Sequence, residues 1–211
     1  MHIPDGFLAP QVWAPLNAAA VPAIALCARR ARRGLEENHV PLLGMMGAFV
    51  FAAQMVNFPI APGTSSHLSG GALLAVLFGP WVAALAMGAV LLIQAVVFQD
   101  GGLMAFGANF FNLAIIAPMA AYLPYRLAAR GGERVRAVGV FFGAWLSVVA
   151  AAAAVSAELA WSGMAPARLL VPAVVGVHAL TGLVEGALTL GILRMIERVR
   201  PPVAVRATEP A

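Results

Sequence analysis

Lysine is absent from the sequence, so its 13 Lys or Arg positions are all arginine, and cysteine occurs once, as Cys27. Without lysine there is no G-x-x-x-x-G-K-[ST] motif, which excludes a nucleotide-binding P-loop. A single cysteine excludes an intrachain disulfide and a cluster of thiolate ligands. Charged residues are scarce, at 10% of the chain against about 25% in a typical soluble domain. The composition therefore does not fit a soluble protein.

Apolar residues dominate the chain, at 62% of its 211 residues, and the mean hydropathy is +0.88. Several stretches of roughly 20 apolar residues are long enough to cross a bilayer. The arginines lie in short loops between these stretches, so we interpret them as determinants of orientation rather than as a nucleic-acid surface. A neutral start precedes the first apolar stretch and four arginines follow it, the reverse of a cleavable signal peptide. We expect a multi-pass protein of the bacterial inner membrane.

The apolar segments predict an all-α membrane protein with about seven transmembrane helices, its N-terminus outside and its C-terminus cytoplasmic. Residues 67–98 are ambiguous, because they could form one helix or two separated at Gly79-Pro80. Two crossings there place every arginine except Arg168 on the cytoplasmic side, so charge favours two. We expect a single transmembrane domain over 1–197 and a basic, disordered cytoplasmic tail over 198–211. The predicted segments are 11–31, 40–57, 67–79, 80–98, 108–126, 137–160 and 168–195.

The first two residues, Met1-His2, have the chemistry of a metal chelate. Histidine is too large at the second position for removal of the initiator methionine, so Met1 is expected to keep a free amine. That amine, the backbone nitrogen of His2 and the imidazole Nδ1 of His2 can close a five-membered and a six-membered ring on one ion. Three nitrogens in a plane suit the tetragonal sites that Ni(II) and Cu(II) prefer. One further nitrogen would complete the square.

His67 is the candidate for that fourth nitrogen. It follows the polar segment 63–66, where the chain is expected to dip into the membrane, and such a segment is tolerated at depth where it lines a cavity. Pro4-Asp5-Gly6 predicts a turn that would fold the N-terminus back toward it. A helix-end histidine with only a structural hydrogen bond is the alternative for His67. The residues expected to orient the metal ligands through hydrogen bonds are Asn57, Ser65, Ser66 and Asp100.

The segment Met1-His2-Ile3-Pro4-Asp5-Gly6-Phe7-Leu8 resembles the N-terminal signature of the CbiM/NikM family. Members of that family are substrate-binding membrane subunits of energy-coupling factor transporters for cobalt and nickel. The resemblance covers most of residues 1–195. Further motifs that carry it are Gly63-Thr64-Ser65, His67-Leu68, Gly79-Pro80-Trp81, Asp100-Gly101-Gly102 and Gly107-Ala108-Asn109.

The resemblance implies that Met1, His2 and His67 hold the metal, which agrees with the chelate argument and makes 1–197 a metal-binding domain. It implies capture of Ni(II) or Co(II) from outside, with the ion as transported ligand and no cofactor. Energy for uptake would come from a transmembrane coupling subunit and cytoplasmic ATPases, often with a small accessory membrane subunit. No enzymatic activity and no nucleic-acid partner are expected.

Two alternatives stay open at this point. A substrate-binding subunit for an organic vitamin would explain the spans but leave Met1-His2 idle. An intramembrane enzyme lacks support, since there is no H-E-x-x-H motif and the four histidines are scattered.

Two ionisable residues in the last span, His178 and Glu185, lie seven apart and therefore share one helical face. His178 is about ten residues, or roughly 15 Å, from the outer end of its span, which is deep for a ligand shared with the N-terminus. We interpret His178 as an interhelical hydrogen-bonding group. For Glu185 we expect packing or contact with a partner subunit.

Overall fold

The computed structural model describes the backbone of residues 1–56, 58–61 and 64–199, and the side chains of residues 1–56 and 66–199. The fold in these ranges is a bundle of seven helices with one short antiparallel ribbon. The helices are α1 (Pro10–Ala31), α2 (Val40–Met55), α3 (Gly71–Phe78), α4 (Pro80–Phe98), α5 (Phe106–Ala128), α6 (Glu133–Trp161) and α7 (Ala167–Val199). The ribbon strands are β1 (Phe58–Ala61) and β2 (Thr64–Ser66).

The helical membrane architecture predicted from apolar length is confirmed. Five of the helices, α1 and α4 to α7, are long and apolar enough to cross a bilayer. Helix α2 has 16 residues and α3 has eight, and at 1.5 Å per residue both fall short of a hydrocarbon core of about 30 Å. The count of seven crossings and the orientation therefore stay predictions. The ribbon between α2 and α3 was not expected.

The break inside residues 67–98 lies where the sequence predicts it. Gly79 has a φ of 80°, in the left-handed region that favours glycine, and Pro80 opens α4. Proline suits the first turn of a helix, where its missing N–H would have no partner. Two helices, α3 and α4, therefore replace the single long helix that hydropathy alone would allow.

The centre of the bundle is α3, in which every residue from Gly71 to Phe78 is buried. A helix that is apolar all round suits either a protein interior or a membrane, and the burial of α3 places it inside the bundle. Helices α4, α5 and α6 surround it. The close approach of α5 and α6 depends on small residues, as at Gly143, where a Cβ would collide with the carbonyl of Ala121. Helix α3 thus anchors the loop that precedes it.

Two helices, α4 and α5, contain π-helical turns on either side of residues 99–109. Helix α4 ends in the turn Gln94–Phe98, and α5 is π-helical over Phe110–Ile116. After the first turn, Gln99 adopts a left-handed conformation with φ of 55°. Such turns are frequent at functional sites, because each inserts a residue and redirects the chain. Here they flank residues 99–109, against which the N-terminal segment packs.

The last helix, α7, continues through Val199. The tail predicted over 198–211 therefore begins as helix, and its residues from 200 onward lie outside the described part of the chain.

Candidate metal centre

The N-terminal segment folds back into the bundle, so that Met1, Ile3 and Leu8 are buried. The side chain of Asn109 on α5 holds both backbone groups of Ile3: its Oδ1 accepts from the Ile3 N–H at 2.8 Å, and its Nδ2 donates to the Ile3 carbonyl at 3.0 Å. The N–H of Gly102 donates to the same carbonyl at 2.9 Å. The backbone directly after His2 is therefore fixed in position.

A second anchor on the N-terminal segment is Asp5. Its carboxylate accepts hydrogen bonds from the N–H groups of Leu103 (3.1 Å), Met104 (2.8 Å) and Ala105 (3.3 Å). These amides lie at the start of α5, where backbone N–H groups lack helical partners and a negative charge is favoured. A Cβ on Gly102 would lie 2.5 Å from the Asp5 nitrogen. Glycine there is required for the segment to lie this close.

Three of the predicted residues, Met1, His2 and His67, lie together. The Met1 amine nitrogen is 3.0 Å from Nε2 of His67. The imidazoles of His2 and His67 stack with centroids 4.6 Å apart and an interplanar angle of 24°. Two adjacent nitrogens of a square site, each about 2.0 Å from the metal, are about 2.8 Å apart. The observed separation of amine and imidazole is close to that value.

The hydrogen bond of the other His67 nitrogen determines its tautomer. Nδ1 lies 3.0 Å from the carbonyl oxygen of Leu68. A carbonyl can only accept, so Nδ1 carries the proton and donates it. Nε2 therefore presents a lone pair toward the Met1 amine, which is the arrangement that a metal-binding imidazole requires.

The imidazole of His2 contacts a carboxylate. Its Nδ1 is 3.1 Å from Oδ1 of Asp100, which lies in the loop between α4 and α5. Gly101, with φ of 90°, brings this loop against the N-terminal segment, and a Cβ there would lie 3.5 Å from the His2 Cβ. His2 Nδ1 donates its proton to Asp100 in this structure, and binding a metal through Nδ1 requires that proton to move to Nε2.

Burial changes the protonation of the N-terminal groups. Loss of hydration lowers the pKa of the Met1 amine from 8.0 to about 5, although Asp100 opposes this shift. Burial also lowers the pKa of His2, although its hydrogen bond to Asp100 opposes this shift. The pKa of Asp100 is lowered, chiefly by its hydrogen bond with His2. At pH 7 the amine is therefore neutral and its lone pair is free to bind a metal.

The loop that carries His67 is held by α2 and α7. Ser66 Oγ donates to Thr181 Oγ1 at 3.2 Å, and the N–H groups of Ser69 and Gly70 donate to Glu185 at 2.8 Å each. Gln54 Nε2 on α2 donates to the Ser69 carbonyl at 2.6 Å. These hydrogen bonds are made with Ser66 and with the backbone of Ser69 and Gly70, so they fix the path of the loop that carries the imidazole.

The structure describes the side chains of two of the four residues predicted to support the site, Ser66 and Asp100. Asp100 lies on His2, as above, whereas the hydroxyl of Ser66 bonds to α7. Asn57 lies outside the described residues, and of Ser65 only the backbone, in β2, is described. Their role as supporting residues stays a prediction.

His178 and Glu185 differ from their sequence interpretation. The His178 Nδ1 lies 2.7 Å from the Val174 carbonyl of its own helix, so the bond is intrahelical. Thr181, one turn further along α7, already contacts the His67 loop at Ser66. The position of His178 along α7 therefore does not place it far from the loop that carries His67. Glu185 bonds to the loop backbone within the chain, rather than serving only in packing.

Sequence reasoning missed two anchors of the N-terminal segment, Asn109 and the carboxylate of Asp5. Asp5 had been interpreted only as part of a turn, and Asn109 only as part of a motif. The available signal was the Asp-Gly-Gly sequence at 100–102, since paired glycines indicate a close approach of another backbone.

Side chains alone do not make a metal site here. Within residues 1–56 and 66–199, no group of three or more histidine, cysteine, aspartate or glutamate residues is arranged to hold a metal. The amine that lies against the two imidazoles is the main-chain nitrogen of Met1, which is not a side-chain group.

Comparison with known proteins gives a family match over almost the whole chain. Residues 2–203 match the family model described as the cobalt uptake substrate-specific transmembrane region, CbiM. The chain belongs to this family. CbiM relatives include the cobalt transport protein CbiM of Sorangium cellulosum, 32% identical over 98% of this chain and 95% of that protein. The fused nickel transport protein NikMN of Rhodobacter capsulatus is 36% identical over the full chain, which spans 66% of that longer protein.

Solved structures show the same fold. The crystal structure of a truncated transition metal transporter superposes with a TM-score of 0.86, at 32% identity over 95% of this chain and all of that one. CbiM proteins are multi-pass proteins of the cell membrane and are transporters rather than enzymes. The chain is therefore a transport component, which removes the intramembrane-enzyme alternative.

Proposed function

We propose that the chain is the substrate-binding membrane subunit of an energy-coupling factor ABC transporter, which captures Ni(II) or Co(II) from outside for ATP-driven uptake. The observation that carries the proposal is the 3.0 Å contact between the Met1 amine and His67 Nε2, with the His2 ring stacked beside it. Relatives named as cobalt and nickel transport proteins support the same substrate class.

The proposed donor set is four nitrogens: the Met1 amine, the His2 backbone nitrogen, His2 Nδ1 and His67 Nε2. Binding through His2 Nδ1 would replace its hydrogen bond to Asp100, with the ring proton moving to Nε2 so that the imidazole stays neutral. Four nitrogens in a plane suit Ni(II) better than ions that prefer oxygen or tetrahedral sites. We therefore favour nickel over cobalt.

The energy for uptake is proposed to come from partner subunits. The sequence contains no lysine and hence no P-loop, so ATP hydrolysis falls to cytoplasmic ATPases, linked through a transmembrane coupling subunit. A small accessory membrane subunit completes the proposal, and the fused NikMN relative, in which this chain spans 66% of the length, is compatible with an attached partner.

The decisive test is on the N-terminus. Ni(II) affinity is measured by calorimetry for a purified chain whose intact mass confirms that it starts at Met1. An alanine inserted between Met1 and His2 breaks the chelate rings, and an N-terminal tag turns the amine into an amide. Both changes should abolish high-affinity binding, because Met1 is also buried.

A C-terminal tag is the matched control and should leave the affinity unchanged. Equal Ni(II) affinity in the N-terminally tagged and untagged proteins would remove the amine from the site. Failure of the untagged protein to bind Ni(II) or Co(II), with binding of an organic vitamin instead, would overturn the proposed substrate class.

A further inference from the structure

The two halves of the candidate metal centre are anchored to different parts of the bundle. Met1 and His2 are fixed through Ile3 and Asp5 to the 100–109 region. His67 belongs to a loop whose hydrogen bonds lead to α2 and α7. The position of one half relative to the other therefore depends on where α7 stands.

Glu185 makes two of these connections. Its side chain is buried, and its two carboxylate oxygens accept separately from Ser69 N–H and Gly70 N–H at 2.8 Å. Gly70 directly precedes α3 and has φ of 72°, so the two amides lie at the N-terminal end of that helix. Amides at the end of a helix lack helical partners, and the carboxyl group of Glu185 offers one oxygen to each of them. An amide side chain has a single acceptor oxygen and cannot accept from both.

Helix α7 contacts the loop on both sides of His67. Thr181 binds Ser66, the residue before it, and Glu185, four residues further along the helix, binds the backbone two and three residues after it. Residues 67–70 have no regular secondary structure of their own. The backbone on both sides of His67 is thus held by α7, while the ring itself contacts Leu68, Met1 and His2.

We propose that Glu185 is a positioning residue for metal capture, which holds His67 Nε2 toward the Met1 amine through the backbone of Ser69 and Gly70. This inference rests on the proposed function. Through Glu185, α7 holds the His67 nitrogen of the proposed donor set. The three nitrogens of Met1 and His2 are held by the 100–109 region. A shift of α7 therefore withdraws His67 and converts a four-nitrogen site into a weaker three-nitrogen chelate.

The test compares Glu185→Gln with His67→Ala in the full-length protein. The glutamine retains one acceptor oxygen but presents an NH₂ group to the other amide, so one hydrogen bond is lost. Ni(II) affinity should fall by about 10- to 100-fold, the usual range for residues that orient a metal ligand. The visible spectrum of bound Ni(II) should shift toward that of His67→Ala. In the double variant, Glu185→Gln should cause little further loss.

Glu158→Gln is the matched control. Glu158 is a half-buried carboxylate in α6 that accepts one hydrogen bond, from Asn112 Nδ2 at 2.7 Å, and does not contact the 66–70 loop. This variant should bind Ni(II) with the wild-type affinity and spectrum. A purely structural effect of removing a buried carboxylate would instead weaken both variants alike.

Each outcome decides the proposal. Wild-type affinity and spectrum in Glu185→Gln would overturn the role of Glu185 while leaving the proposed function intact. If Glu185→Gln does not fold, Glu185→Asp takes its place, because it keeps the carboxyl group but shortens the side chain. An unshifted Ni(II) spectrum in that variant would also overturn the role of Glu185. Failure of the wild-type protein to bind Ni(II) or Co(II) would instead refute the proposed function itself.

Discussion

At the scale of single residues, His67 is the proposed metal donor whose loss is easiest to separate from loss of fold. It lies in a loop rather than inside a helix, and its Nδ1 bonds only to the neighbouring Leu68 carbonyl. His67→Ala should therefore remain folded but lose the d–d absorption typical of Ni(II) in four planar nitrogens. The measurement is the visible spectrum of the Ni(II)-loaded protein, with thermal unfolding of the metal-free protein recorded in parallel.

His39 provides the comparison for that experiment. It ends the short 3₁₀ turn Glu37–His39 before α2, on the side predicted to be cytoplasmic. His39→Ala should leave the spectrum as in the wild type. An unchanged spectrum in His67→Ala would show that the fourth nitrogen comes from elsewhere.

The pH dependence of metal binding is also decided by individual groups. An exposed amine with a pKa near 8 and imidazoles near 6.5 would release more than one proton per metal near pH 7, as expected from sequence alone. Burial lowers the pKa of Met1 to about 5 and lowers that of His2. Both groups are therefore already neutral at pH 7, and the His2 backbone amide supplies the main proton released.

Ni(II) affinity should accordingly fall by about one decade per pH unit from pH 8 to 6, and more steeply only below about pH 5, where the amine becomes protonated. Asp100 faces these groups and opposes the shift, while His67 and His178 lie on the other elements packed against them. Calorimetry at three pH values, in buffers of different ionisation enthalpy, counts the protons. Release of two or more near pH 7 would contradict a neutral amine.

At the scale of structural elements, the start of α5 serves as the platform for the N-terminal segment. Asp5 accepts from three successive amides there, Leu103, Met104 and Ala105. Asp5→Ala removes these bonds and should lower the free energy of unfolding by about 0.5–2 kcal/mol, as for loss of a helix cap. It should also weaken Ni(II) binding, because Met1 and His2 become less well ordered.

Asp5→Asn is the graded control for this prediction, since it keeps one acceptor oxygen but loses the charge. Its stability in thermal unfolding and its Ni(II) affinity should lie between those of the wild type and Asp5→Ala. If Asp5→Ala lost stability but retained full affinity, the contact would serve the fold alone.

The elements themselves followed from sequence wherever the signal was local. Apolar length predicted a first span at 11–31, and α1 is Pro10–Ala31. The Gly79-Pro80 pair predicted the division between α3 and α4, because both residues act on their own backbone. The supporting contacts did not follow, since Asn109 and Glu185 bind residues 106 and 116 positions away. No periodicity or turn chemistry carries that information.

The candidate metal donors of Met1 and His2 could be predicted because the two residues are adjacent in the chain. Their chelate rings depend on covalent connectivity rather than on the fold. His67 needed an argument about a dip in the chain, and the 3.0 Å approach of its Nε2 to the Met1 amine was not accessible from sequence. Nor was the burial that lowers the pKa of that amine.

At the scale of the whole molecule, the arginine distribution predicts the orientation in the membrane. Cys27 is the single cysteine, so Cys27→Ser gives a background for labelling. Met164→Cys, after α6, should react with a membrane-impermeant maleimide in intact cells, because that turn is expected outside. Gly132→Cys, before α6, should react only after the membrane is permeabilised.

Both positions are exposed, so access depends on the side of the membrane rather than on burial in the protein. The opposite labelling pattern would place the N-terminus inside and refute capture from outside. Labelling of both positions in intact cells would show that the segment between them does not cross.

The attachment of the His67 loop to α7 also sets the order of events during synthesis. Met1 and His2 are made first, whereas Thr181 and Glu185, which fix the loop, are made after about 180 further residues. At about 5–20 residues per second, this interval is on the order of 10–40 s. Until the last helix enters the membrane, the growing chain carries only the amino-terminal chelate and a loosely held imidazole. On the proposed donor set, selectivity for the metal is acquired only once α7 is in place.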